Sequence, residues 1–144
     1  MWALAYREFV KRWAFRHPTP YDFLRTVDDV AGQDLGWFWH AWLAGTGTLD
    51  QAVASVTRSG GSTVVRIECR GTVALPARVK ITRADGSVAH EEIPVQTWLA
   101  GARHAELRVA SSPRVVRVEI DPSGEFPDVD RDNNTWSRDS SRTR

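Results

Sequence analysis

The residues able to do chemistry are few, and their spacing is poor for it. His90-Glu91 is followed by Glu92-Ile93-Pro94. A zinc-hydrolase helix needs a second histidine four residues after the first, and Pro94 stands there instead. Such a site takes three protein ligands and keeps a fourth position open. A strand ending in proline cannot set two ligands on successive helical turns, so His90 and Glu91 read as surface residues of an edge strand. His17, His40 and His104 show no ligand spacing among themselves or with His90. Cys69, the single cysteine, closes the alternating run Val65-Arg66-Ile67-Glu68-Cys69 and reads as a small core residue with no cationic activator beside it. No Gly-x-Ser-x-Gly elbow occurs. No catalytic, cofactor-binding or metal-ligating residue is assigned from the sequence.

Three further patterns have a plainer reading. Asp128-Val129-Asp130-Arg131-Asp132-Asn133-Asn134 places oxygen side chains at alternate positions, as loops that collect calcium do. It lacks the glycine and the final glutamate of an EF-hand, and Asp and Asn are common in any turn. Gly45-Thr46-Gly47-Thr48 follows a helical stretch where a phosphate loop would open one, so it reads as a helix stop. Arg7, Lys11, Arg12 and Arg16 interleave with aromatic residues in a way that could clamp nucleic acid, but Glu8, Asp22, Asp28, Asp29 and Asp34 cancel the charge.

The elements that would position these residues divide near Asp50 to Ala52. Before that point the period is helical. Trp2, Tyr6, Phe9 and Trp13 recur at three- and four-residue steps over about 2–16. Thr19, Pro20 and Asp22 form a helix start for a stripe of Phe23, Leu24, Val27 and Val30, which Gly32 ends. Asp34 can cap a third helix, Leu35 to Ala44, that is apolar nearly all round and so expected to be buried. After the boundary, short alternating runs predict strands at about 52–58, 62–70, 77–84, 88–95, 104–110 and 115–121, with Asp85-Gly86 as a hairpin turn. The expected fold class is α+β, with a three-helix segment at 1–50, an immunoglobulin-like or fibronectin-like antiparallel β-sandwich at 51–122, and a polar tail at 123–144, disordered from Ser137 onward.

Composition permits a core, with 42% apolar and 26% charged residues, and a net charge of +1 gives no long-range pull toward nucleic acid or an anionic membrane. No run of about 18 apolar residues encodes a membrane span. Arg7, Glu8, Lys11 and Arg12 interrupt any signal-peptide core, and the compartment stays open. Residues 1–50 hold five Trp, two Tyr and four Phe. Each large ring buries about 150 to 250 Å², more in sum than fifty residues can enclose, so some rings are expected to pack on something outside this segment.

His17-Pro18-Thr19-Pro20-Tyr21-Asp22-Phe23, followed by Gly32-Gln33-Asp34-Leu35-Gly36-Trp37-Phe38-Trp39-His40-Ala41-Trp42, resembles the helical region after the active site in aminopeptidase N-like zinc metallopeptidases, the gluzincins. The resemblance covers about residues 1–50. It implies that Leu43 to Leu49 leave the catalytic domain, and that residues 51–122 correspond to the β-sandwich some bacterial members carry next. The family's His-Glu-x-x-His, its later glutamate ligand, its Gly-x-Met-Glu-Asn segment and its catalytic tyrosine have no counterpart here. Zinc is therefore expected only in a complete family enzyme. The expected role is a C-terminal piece, with a helix already running at Met1, that supports or docks to an upstream or separately encoded catalytic domain. The alternative is a free-standing module that binds protein or glycan and self-associates through its aromatic helices.

Overall fold

Helix breakers and caps set the first elements. The computed structural model describes residues 1–138, and its chain divides into two units, Met1–Thr46 and Gly47–Arg144. In the first unit, α1 (Trp2–Trp13) and α2 (Pro20–Ala31) are joined by the turn holding Pro18 and Pro20. Thr19 starts α2: its N–H and its hydroxyl both donate to the Asp22 carboxylate, at 2.8 and 2.7 Å. Those bonds hold the Asp22 carboxyl below its ordinary pKa. Gly32 closes the helix at φ 66°, a left-handed conformation that glycine adopts without strain. Asp34 then accepts from the Gly36 N–H at 2.7 Å and opens α3 (Gly36–Trp39), which widens into a π-helical turn over His40–Ala44.

This unit packs by edge-to-face rings and one exposed ion pair. Phe9 meets Phe23 at 5.1 Å between centroids, Trp2 meets Trp39 at 6.2 Å, and Arg12 on α1 reaches Asp29 on α2 at 2.5 Å. The Trp39 indole N–H donates to Asp28 at 2.8 Å. Its buried residues are Ala5, Thr26 and Val27 alone among the described ones. Trp2 and Tyr6, which share the aromatic stripe with Phe9 by spacing, are 54% and 62% exposed, because α2 covers the side of α1 that runs through Ala5 and Phe9. The stretch Leu35 to Ala44, expected to be buried, has no buried residue, since two short helices cannot wrap a helix that is apolar all round.

The second unit is built of two antiparallel sheets. One has the order β1-β2-β5, from β1 (Gln51–Ser59), β2 (Ser62–Cys69) and β5 (His104–Ala110). The other has the order β4-β3-β6-β7, from β3 (Ala77–Arg83), β4 (Val88–Ile93), β6 (Val115–Ile120) and β7 (Thr135–Ser137). Inward residues of both contribute to a single core: Val65 and Ile67 from β2, Val109 from β5, Val79 and Ile81 from β3, Val118 and Ile120 from β6. Asp85-Gly86 makes the β3–β4 turn, with Gly86 at φ 83° and Asp85 accepting from the Ser87 N–H and hydroxyl.

The strand expected over 88–95 stops at Ile93. Pro94 has no N–H for the ladder and instead caps α4 (Val95–Leu99), whose Trp98 is 6% exposed against the core. Much of the segment expected as a polar tail is structured. Residues 131–134 form a 3-10 turn, and β7 pairs with β6 through Glu119 opposite Thr135, Val118 opposite Trp136 and Arg117 opposite Ser137. The expected disorder falls mainly on residues 139–144, which lie outside the described residues.

Candidate functional site

The four histidines lie on four separate segments. His17 lies in the turn before α2 and His40 opens the π-helical turn, while His90 on β4 faces Lys80 and His104 on β5 faces Glu68, in different sheets. All four are exposed. Among the described residues no three His, Cys, Asp or Glu side chains form a group able to hold a metal ion. His90 and Glu91 sit on an extended strand, so they do not fit the helical zinc site of the family the sequence resembles, and no zinc-dependent step is derived. Cys69 is buried beneath the sheet. Burial pushes its thiol pKa up, which keeps it protonated and unreactive.

The alternating oxygens of 128–134 serve the fold. Asp128 accepts from the Gln51 N–H at 2.9 Å and the Asp130 N–H at 3.0 Å. Asn133 donates to Asp50 at 3.0 Å and to Asp130 at 2.8 Å. Leu49, 1% exposed, bridges to Asp128, and the Val129 N–H donates to the Leu49 carbonyl at 3.0 Å. Upstream, Asp121 has a side chain 1% exposed that accepts from the Glu125 and Phe126 N–H groups and pairs with Arg131 at 3.3 Å. Sequence spacing alone could not distinguish such internal bonds from an ion cage, because both use oxygens at alternate positions.

Thr48, which ends the glycine-rich stretch, is held by the loop at 70–73. The Thr72 and Val73 N–H groups both donate to the Thr48 carbonyl, and those of Arg70 and Gly71 to the Asp50 carbonyl. A Cβ on Gly71 would strike the Thr48 carbonyl and come within 2.6 Å of the Asp50 nitrogen. The basic residues of α1 are partly engaged, with Arg12 bonded to Glu8 at 2.8 Å and Asp29 at 2.5 Å. These bonds, that to Asp29 foremost, raise the Arg12 pKa, and the bond from Arg12 lowers that of Glu8.

Both units have concave surfaces, and one beside β3 and β4 is lined by Arg78, His90, Glu91 and Glu92. In the helical unit a groove of about 600 Å³ runs between α2 and the π-helical turn, walled by Tyr21, Leu24, Trp39, His40 and Leu43. In the two-sheet unit a cleft of about 520 Å³ opens between the β1–β2 hairpin and β6–β7, with Thr63, Ser111 and Val115 at its base and Arg58, Arg114 and Arg138 around it. Sequence reasoning missed this cleft. Its arginines stand far apart in the chain, and no local motif links them.

No family model matches the chain, and no curated protein matches it. Among solved structures, a β-glucuronidase from Ruminococcus gnavus in complex with uronic isofagomine is similar over 58% of this chain, at 18% identity and a TM-score of 0.32. The chain spans 14% of that protein's length, and so slight a likeness carries no argument.

Proposed function

We propose that the chain is the C-terminal part of an aminopeptidase N-like protein, in which the helical unit docks against a peptidase catalytic domain and the chain itself is not catalytic. The observation that carries this is unburied apolar surface. Trp2, Leu4, Tyr6, Tyr21 and Leu43 are 54%, 61%, 62%, 73% and 67% exposed in a unit of 46 residues. Exposed apolar side chains in that number on so small a unit are what a covering body would bury. The order of caps and rings from Pro18 to Trp42 supplies the family side of the reading.

The second unit would then be an immunoglobulin-like sandwich. What supports it is the strand order, three in one sheet and four in the other, all antiparallel, with inner faces contributing to one core. This core also supports the second reading, a free-standing binding module that self-associates through its aromatic helices.

The test is co-expression of the chain with an aminopeptidase N-type catalytic domain from the same genome, followed by size-exclusion chromatography. A stable complex, lost on Tyr6→Ser with Leu43→Ser, is the expected result. A concentration-dependent homodimer with no such complex would favour the second reading. Turnover of aminoacyl substrates by the chain alone, dependent on added zinc, would overturn both.

A further inference from the structure

We propose that the cleft between the β1–β2 hairpin and β6–β7 is a binding site for a small organic oxyanion, a carboxylate or phosphate carried on a flat apolar body. Arg58 reaches it from the end of β1, Arg114 from the turn before β6 and Arg138 from the residue after β7. None of the residues lining the cleft is acidic. The guanidinium groups of Arg58 and Arg114 form no ion pair among the described residues, as is also true of Arg7, Arg16, Arg25, Arg66, Arg83 and Arg103; what sets Arg58 and Arg114 apart is that both line one cleft. Arg138 makes contacts of its own, and the site rests on the other two.

A guanidinium presents a planar fork of donors that matches carboxylate and phosphate oxygens, and its charge does not titrate away. Two such forks around one opening, without a carboxylate in the lining, select a negative group over a neutral or cationic one. Thr63 and Ser111, 6% and 4% exposed, also line the cleft, and their hydroxyls are donors with no charge of their own. Trp136, half-buried, and Val115, 2% exposed, give the cleft an apolar wall on which a flat body can lie. A volume of about 520 Å³ falls within the range of small-ligand pockets, about 300 to 1,000 Å³. This assignment is independent of what covers the helical unit.

The test titrates the full chain at low salt with phenyl phosphate, benzoate and benzyl alcohol, following the Trp136 indole and arginine Nε–H resonances. Saturable binding of phenyl phosphate or benzoate is expected, with the tighter of the two identifying the headgroup. Arg58→Gln and Arg114→Gln should each weaken it about tenfold, as expected for loss of a charge-assisted hydrogen bond. Both side chains are exposed, so the melting curves should not change. Arg66→Gln, the same charge loss on an exposed β2 residue outside the cleft, should leave binding intact. The proposal fails if neither anion binds saturably, if benzyl alcohol binds as well as they do, or if Arg66→Gln weakens binding as much as the cleft variants. Tighter binding of a single-stranded oligonucleotide than of phenyl phosphate would also overturn it, by pointing to a backbone-tracking surface.

Discussion

The helical unit and the two-sheet unit are both rich in apolar residues, yet they bury them very differently. The core of the second unit holds twelve buried residues drawn from both sheets and α4. The first buries only Ala5, Thr26 and Val27 among its described residues, although it has most of the chain's aromatic rings. Periodicity creates an apolar face, but burial needs enough surrounding chain to close over it. Two facing sheets close over each other, while two helices and a short third leave their outer faces bare.

That contrast can be broken most directly by paired truncations. Ile81→Ala, at a fully buried site in β3, should cost about 2 to 5 kcal/mol in urea unfolding, whereas Leu43→Ala, 67% exposed, should cost less than about 0.5 kcal/mol. Equal losses would mean that Leu43 is covered in solution. The next effect concerns how the second unit closes. Gly71→Ala, which drives a Cβ into the backbone of residues 48–50, should destabilise that unit by about 1 to 3 kcal/mol and leave helical melting unchanged. Asp128→Ala removes an acceptor from the Gln51 and Asp130 N–H groups and should cost about 1 to 2 kcal/mol, read in the same melts.

The smallest effect belongs to the helical unit and depends on pH. Asp22 has its folded pKa depressed by the Thr19 N–H and hydroxyl, so its contribution is complete above the unfolded value, about 3.9, and is lost as pH falls through the lower folded value. Helical ellipticity should therefore decline below about pH 4 in the parent, and Asp22→Asn should flatten that decline. Asp85 is depressed in the same direction by Ser87, which places a matching acid-sensitive turn in the two-sheet unit.

Legibility followed the range of the interactions. Thr19, Pro20, Asp22 and Gly32 bound α2 through contacts within a few residues, and Asp85-Gly86 turns the chain by its own backbone, so these were readable from the sequence. The α+β class was legible because the hydrophobic period changes from helical to alternating. What was missed depends on distant partners. β7 is three residues long and exists through its pairing with β6. The carboxylate of Asp128 is held by a backbone N–H 77 residues away, which no spacing within its own loop could reveal. The cleft arginines come together only once both sheets are assembled.

The fastening of Leu49, Asp50 and Gln51 by Asp128, Val129 and Asn133 has a consequence for biosynthesis. The bonded residues lie 77 and 83 positions apart. At about 5 to 20 residues per second, the ribosome makes the later partner roughly 4 to 17 seconds after the first. The β1–β2 hairpin can zip up within microseconds of emerging, but its leading edge then waits seconds for the carboxylate that fixes it. During that interval a nascent chain presents an unfastened strand, and this is the stage of synthesis at which a chaperone or a neighbouring domain has its opportunity to bind.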